Sequence, residues 1–160
     1  MENERIEQLL RLPLAQLIAA ADKTRREFAG SNLELCNIMN AKSGICDQDC
    51  KFCAQASSRS TGAPVYPLKK KKEMLEAARR AKDIGAERFD IVTSGDALSK
   101  EELGVICDAV AHITSKVGIK MCASLGTLDE GSFRVLKAAG LSRYHHNIET
   151  SPRYFPNIVT

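Results

Sequence analysis

The sequence lacks tryptophan, and aromatic residues make up only 5% of it. A core must therefore rest on Leu, Ile, Val, Ala and Met, and 160 residues with 44% hydrophobic content are enough for one domain with a sizeable core. The sequence also lacks a strong charge of either sign, since its formal net charge is +3. That small excess gives no case for a nucleic-acid-binding surface, so we expect no nucleic-acid partner.

Long apolar runs are missing too. No run approaches the roughly 20 residues of a membrane span, so we expect no membrane partner. The opening MENERIEQLLRL is acidic and amphipathic, without the basic region and apolar stretch of a secretory signal. We therefore expect a cytoplasmic protein, in which six cysteines serve as free thiols or metal ligands more often than as disulfides.

Hydrophobic periodicity predicts two parts. Residues 1–31 read as a helical segment with a break at Pro13, and residues 32–160 read as alternating strands and helices. The expected strands are LELCNIMN, ERFDIVTS, GIKMCASL and SRYHHNIET, and capping boxes at Ser99–Glu102 and Thr127–Glu130 open two of the helices. This pattern predicts an α/β fold of about four parallel βα units, either half a TIM-like (β/α) barrel or an open sheet. Because the sequence stops after the fourth strand, we expect the N-terminal part of a larger barrel, in truncated form.

A long segment with almost no periodicity, residues 41–67, interrupts this pattern. Loops of this length inside compact domains are usually functional, and this one holds Cys46, Cys50 and Cys53 in the spacing C-x3-C-x2-C. Structural zinc sites use four ligands and are closed, yet the loop offers three thiols and no histidine. Three thiolates suit a [4Fe–4S] cluster with one iron left open. We favour the cluster, with zinc or plain buried thiols as the alternatives.

Three stretches carry a resemblance to a known family. The C-x3-C-x2-C motif with Phe52 before its last cysteine resembles the signature of radical S-adenosylmethionine (SAM) enzymes. The wider stretch NAKSGICDQDCKFCAQAS is similar to the biotin synthase family, as are MCASLGTL (121–128) and YHHNIETSPRYFPNIVT (144–160). The resemblance implies a radical SAM barrel and insertion of sulfur into dethiobiotin, giving biotin, by way of a 5′-deoxyadenosyl radical.

The resemblance also implies site residues and partners. Cys46, Cys50 and Cys53 would hold the [4Fe–4S] cluster, whose open iron binds the methionine part of S-adenosylmethionine. Asn147 and Glu149 match the family's ribose-binding pair. Their expected geometry agrees, since residues i and i+2 of a strand face the same way and the pair lies near a strand's C-terminal end. The alternative is an exposed polar strand end. Phe52, Thr93 and Ser94 would lie near the nucleotide. The expected partners are a dethiobiotin-like substrate, reduced flavodoxin or ferredoxin as electron donor, and a second copy in a homodimer of the full-length protein.

The chain departs from the family pattern at Asp90, where the best-known form has a cysteine that helps to hold a second, auxiliary iron–sulfur cluster. Carboxylate replaces thiolate poorly on such clusters. Cys122 matches another of those ligands, and Cys36 is a candidate replacement because alternate residues of a barrel strand point inward. For both, a buried structural thiol is the alternative. His145, where the family often has asparagine, is expected beside the substrate.

Two other functions stay open at this point. One is a radical SAM enzyme of the same barrel subfamily that acts on a different small molecule, which Asp90 and His145 favour. The other is an inactive, truncated iron–sulfur-binding fragment, since half a barrel leaves a sheet edge and core exposed.

Overall fold

The computed structural model describes residues 2–159, and a four-stranded parallel sheet is its centre. The strands run in the order β1-β2-β3-β4. They are β1 (Cys36–Lys42), β2 (Arg88–Thr93), β3 (Lys120–Ser124) and β4 (Leu141–Tyr144). The helices between them are α3 (Lys71–Asp83), α4 (Lys100–Lys116) and α5 (Glu130–Ala138), after α1 (Glu2–Leu10) and α2 (Leu14–Ala29) at the start of the chain. The α/β fold predicted from the sequence is confirmed.

The chain divides into two compact units, of which the first ends at Leu33 and consists of α1 and α2. Pro13 precedes α2 with φ at −54°, a value that its ring favours and that suits a helix start. None of the residues of α2 is buried. Both helices lie within residues 1–31, and Pro13 separates them.

One face of the sheet, which we call the apolar face, packs against the helices of the second unit. Phe89 and Ile91 of β2 and Met121 and Ala123 of β3 are fully buried in one hydrophobic cluster. The helices contribute Met74, Ala78, Ala81, Ile106, Ala109, Val110, Ile113 and Leu136 to the same cluster. A sheet whose strands follow chain order, with its crossover helices on one face, is the arrangement of a (β/α) barrel rather than of a doubly wound sheet.

The opposite face, which we call the polar face, carries the alternate residues of the same strands. Ile38, Asp90 and Cys122 lie side by side in register on β1, β2 and β3, and Arg143 of β4 pairs with Cys122. Because successive side chains of a strand point to opposite sides, these residues cannot contact the helices that cover Phe89 and Ile91. In a closed barrel this face is the interior.

One predicted capping box is confirmed and the other is wrong. Ser99 Oγ accepts the Glu102 N–H at 3.2 Å, and a Glu102 carboxylate oxygen accepts the Ser99 N–H at 3.0 Å. The helix α5, however, is capped by Asp129, whose carboxylate accepts the Ser132 N–H at 2.7 Å. Thr127 instead lies in a turn, where its N–H donates to the Asp96 carbonyl at 2.6 Å. Threonine and aspartate are both good N-cap residues. The contact of Thr127 with Asp96 leaves Asp129 as the N-cap of α5.

The fourth strand is shorter than predicted. It ends at Tyr144, and a last hydrogen bond from the His145 N–H to the Ala123 carbonyl, at 2.8 Å, follows it. The expectation that Asn147 and Glu149 lie on a strand is therefore wrong. Among residues 2–159, no helix combines the length and apolar character needed to cross a membrane.

Candidate functional site

The segment between β1 and α3, which we call the cysteine loop (residues 43–67), is tied down at both ends. Ser43 and Tyr66 form an antiparallel bridge with hydrogen bonds of 3.1 and 3.0 Å. The Gln55 side-chain oxygen accepts the Ser43 hydroxyl at 3.0 Å and the Gly44 N–H at 2.6 Å. Cys46 pairs with Ala56 in a second bridge. The loop is therefore a folded element, although it has no periodic hydrophobic pattern.

The three cysteines of this loop line one cavity of about 480 Å³. Cys46 is buried, while Cys50 and Cys53 are half-buried. Burial raises the pKa of the Cys50 thiol, and the Cys53 and Cys46 thiols nearby act in the same direction, against a lowering backbone hydrogen bond. Phe52 lines the same cavity with more than half of its surface exposed. The structure thus brings together the four loop residues that the sequence singled out.

Asn147 and Glu149 line this cavity as well, but a turn rather than a strand brings them there. Glu149 has φ at 62°, in the left-handed region that non-glycine residues seldom adopt, and the Thr150 N–H closes the turn on the Ile148 carbonyl at 2.7 Å. Such backbone strain costs about 1–3 kcal/mol and tends to occur at functional sites. A hydrogen bond of 2.9 Å from the Lys51 N–H to the Ile158 carbonyl joins the cysteine loop to this last part of the chain.

The end of β2 forms another side of the cavity, through Thr93, Ser94 and Gly95. The Ser94 hydroxyl donates to the Gly44 carbonyl at 2.5 Å, so it holds the cysteine loop against the sheet. Thr93 Oγ1 is buried and has no hydrogen-bond partner within the described part of the chain. Of the two predicted hydroxyls, that of Ser94 is committed to the fold and that of Thr93 has unused hydrogen-bonding capacity.

Sequence reasoning missed several residues that line the cavity. They are Asn40, Gln48, Gln55, Val92, Asp96, Ser124, Gly126, Thr127, His146, Phe155 and Val159. Gly126 is the most constrained, because its φ is 80° and a Cβ there would overlap the Asp96 carbonyl. The sequence does carry a signal for this position, because Gly126 directly follows the strand segment MCASL. A glycine after a strand indicates a tight turn or a close backbone approach.

Four other candidates lie elsewhere on the polar face and do not line the cavity. Cys36 is exposed, and Cys122 is fully buried. Burial raises the pKa of each of these thiols. The neighbouring Cys122 thiol raises the pKa of Cys36 further. His145 Nδ1 lies 2.9 Å from Asp90 Oδ2. The structure therefore separates the three-cysteine cavity from a second group of polar residues on the same face.

The donor set of the cavity fits an iron–sulfur cluster better than zinc. No group of three or more His, Cys, Asp or Glu side chains within residues 2–159 converges to hold a single ion. A zinc ion draws its ligands to within about 2.3 Å, so it requires that convergence. A cluster is larger and is held by cysteine thiolates on different irons, so three thiols spread around a cavity fit it.

Together, a parallel barrel-type sheet and a three-cysteine loop at the carboxyl ends of its strands define a class of iron–sulfur barrel enzymes. Residues 41–159 match the family model for the radical SAM superfamily. The chain belongs to this superfamily.

Its relatives include two bacterial biotin synthases. The biotin synthase of Thermotoga petrophila is 46% identical over 156 residues, which cover 98% of this chain and 51% of that protein. The biotin synthase of Thermotoga neapolitana is 51% identical over 130 residues, which cover 81% of this chain and 47% of that protein. The chain spans about half the length of these relatives.

Solved structures show the same fold. Methylornithine synthase (PylB) matches 86% of this chain and 41% of its own, with a TM-score of 0.73 and 21% identity. HydG, a maturase of the [FeFe]-hydrogenase, matches 85% of this chain and 31% of its own, with a TM-score of 0.63 and 16% identity. At these identities the likeness supports the barrel architecture alone.

Proposed function

We propose that this chain is the cluster- and nucleotide-binding part of a biotin synthase-type radical SAM enzyme, which inserts sulfur into dethiobiotin. One observation carries the proposal: Cys46, Cys50, Cys53, Asn147 and Glu149 line a single cavity at the carboxyl ends of the strands. Active sites of (β/α) barrels form at this edge. The biotin synthases among the relatives support the choice of reaction.

The three thiols supply the ligands for a [4Fe–4S] cluster. As thiolates they would bind iron, and Cys50 and Cys53 are half-buried where they line the cavity. Ser94 and Gln55 keep the loop in place, because their hydrogen bonds fix Gly44, two residues before Cys46. The loop is thus pre-organised around its cysteines.

The far side of the cavity supplies the groups for a nucleotide. The Asn147 amide can donate and accept, and the Glu149 carboxylate accepts from the two hydroxyls of a ribose. Thr93 Oγ1 gains a partner if the amino or carboxylate group of the methionine part lies beside it. Phe52 lines the same cavity with more than half of its surface exposed, so its ring can contact a bound nucleotide.

Held by the three cysteines and by Asn147 and Glu149, a cluster and S-adenosylmethionine would supply radical chemistry that removes hydrogen from an unactivated carbon of the substrate. The residues of the chain bind and orient the nucleotide for this step. The substrate we propose is a dethiobiotin-like small molecule, and the partner is a small electron-donor protein such as flavodoxin or ferredoxin.

A radical SAM enzyme with a different small-molecule substrate is the second candidate. The observation that favours it is the Asp90–His145 pair on the polar face, where the family resemblance implies thiolate. Both candidates require the same cluster and nucleotide site.

The test is electron paramagnetic resonance of the protein, purified anaerobically, reconstituted with iron and sulfide, and reduced. We expect a [4Fe–4S] signal that changes when S-adenosylmethionine is added. Replacing Cys50 with Ala removes the signal, whereas the control Cys107→Ala, in α4 and away from the cavity, keeps it. A protein that binds zinc and no iron would rule out the proposal.

A second pair of variants separates the nucleotide from the cluster. Asn147→Ala should keep the cluster signal and lose the change caused by S-adenosylmethionine, while the exposed Asn32→Ala should keep both. An unaltered response in Asn147→Ala would remove Asn147 from the site.

A further inference from the structure

The contact between Asp90 and His145 is not used by the cluster and nucleotide site. Asp90 is only 3% exposed, and its Oδ2 lies 2.9 Å from His145 Nδ1. Its other oxygen, Oδ1, is buried and has no hydrogen-bond partner in the described chain. A buried carboxylate satisfied on one oxygen only costs stability, so a purely structural role does not account for it.

The pair lies directly beneath the cavity. Asn40, Val92 and Ser124 are in register on three neighbouring strands, and all three line the cavity. Two positions earlier on the same strands, and therefore on the same face, are Ile38, Asp90 and Cys122. Asp90 thus occupies the next layer of side chains below the floor of the cavity.

The orientation of the His145 ring follows from this contact. Burial raises the pKa of the Asp90 carboxyl, against a lowering hydrogen bond from His145. Where Asp90 is ionised it can only accept, so the hydrogen at Nδ1 points to Asp90, and in the neutral ring Nε2 then carries a free lone pair. No hydrogen bond to Nε2 is found within residues 2–159, and the His145 side chain is 37% exposed. Arg88, two residues before Asp90 on β2, is paired with Glu34 at 2.8 Å.

We propose that Asp90 is a positioning residue that fixes His145 in the Nδ1–H tautomer, so that His145 Nε2 accepts a hydrogen bond from an N–H group of the substrate. The class of ligand is a neutral molecule with N–H donors, such as a cyclic urea. This inference rests on the proposed function, because the ureido ring of a dethiobiotin-like substrate is such a group. A substrate held there lies one layer below the nucleotide, on the same face.

The tautomer is measured directly by long-range ¹H–¹⁵N correlation on protein labelled with ¹⁵N-histidine, at a pH where the ring is neutral. The sequence contains three histidines, so His145→Gln assigns the signal. We expect the Nδ1–H form in the wild type and a shift to the Nε2–H form in Asp90→Ala. The control is Asp108→Ala, since the Asp108 carboxylate lies 3.0 Å from His112 on the exposed side of α4, and it should leave the His145 tautomer unchanged. An Nε2–H form in the wild type overturns the proposal without any variant.

Ligand recognition is tested with 2-imidazolidinone as the probe and its N,N′-dimethyl derivative as the control without N–H donors. With the reconstituted protein and S-adenosylmethionine, the first should move the His145 Nε2 signal and the second should not. Asp90→Ala should weaken binding of the first by roughly 3- to 10-fold, the effect of one hydrogen bond. Equal responses to both ureas, or unchanged affinity in Asp90→Ala, contradict the proposal.

The two proposals can fail separately. The paramagnetic response to S-adenosylmethionine reports the cluster and nucleotide site, whereas the tautomer and the urea response report Asp90 and His145. A normal paramagnetic response with the wrong tautomer refutes only this inference. Absence of the cluster refutes the proposed function first.

Discussion

Alternate residues of β2 and β3 experience opposite surroundings although they are neighbours in the chain. Phe89, Ile91 and Met121 contact the helices in a fully buried hydrocarbon cluster. Arg88, Asp90 and Cys122 face the other way, toward thiols, charges and the floor of the cavity. The difference separates stability from function: the apolar face holds the helices to the sheet, and the polar face presents reactive and hydrogen-bonding groups beneath the carboxyl ends of the strands.

Removing apolar side-chain atoms from the two faces should give the largest difference in the free energy of unfolding. Phe89→Ala removes a ring from the fully buried cluster and should lower the free energy of unfolding by about 3–5 kcal/mol. Ile38, on the polar face of β1, is 65% exposed, so Ile38→Ala should cost about 1 kcal/mol or less. Urea denaturation measures both, and equal losses would show that the two faces contribute alike to stability.

The turn where the polar face meets the cavity is the next most sensitive point. Gly126→Ala places a Cβ into the Asp96 carbonyl at a φ of 80°, and we expect a loss of about 2 kcal/mol together with loss of nucleotide binding. Gly104→Ala is the matched control, because α4 leaves open space there and alanine favours a helix by about 0.5–1 kcal/mol. Thermal unfolding and the paramagnetic response to S-adenosylmethionine report the two effects. Tight nucleotide binding by Gly126→Ala would contradict the close approach of Gly126 to Asp96.

A smaller, pH-dependent effect is expected at the ion pair between β1 and α4. Glu102 lies 2.7 Å from Lys42 Nζ. Burial alone would raise the pKa of Glu102. Hydrogen bonds from Lys42 and from the Ser99 N–H, together with the Lys42 charge, lower this pKa below the ordinary 4.5. Because the pKa is lower in the folded state, this stabilisation is complete above pH 4.5 and is lost as the pH falls through the folded value.

Glu102→Gln should therefore lower the free energy of unfolding at pH 7 by about 1 kcal/mol and have little effect at low pH. The control is Glu27→Gln at an exposed position of α2, which should leave the free energy of unfolding at pH 7 nearly unchanged. Denaturation curves at several pH values measure the difference. A deficit in Glu102→Gln that grows as the pH falls would contradict a lowered pKa of Glu102 in the folded protein.

Local patterns predicted much of the fold. Strand and helix periodicities indicated the three βα units and the fourth strand, and the Ser99 capping box marked the start of α4 because its hydrogen bonds span only three residues. The spacing of Cys46, Cys50 and Cys53 indicated the cluster loop for the same reason, since ligands close in sequence are close in space. Thr127 was mistaken for a helix cap because its contact with Asp96 cannot be read from the residues around it.

The sequence by itself determined the order of elements and the loop with three closely spaced cysteines, which depend on interactions within a few residues. Asn147 and Glu149 came from the resemblance to a family and not from a local pattern. Only the tertiary structure decided that β4 ends at Tyr144, that Glu149 enters the cavity through a left-handed turn, and that Asp90 meets His145, 55 residues away. These features depend on the register of parallel strands and on backbone contacts between turns, whose energies are set by packing between distant segments rather than by local preference.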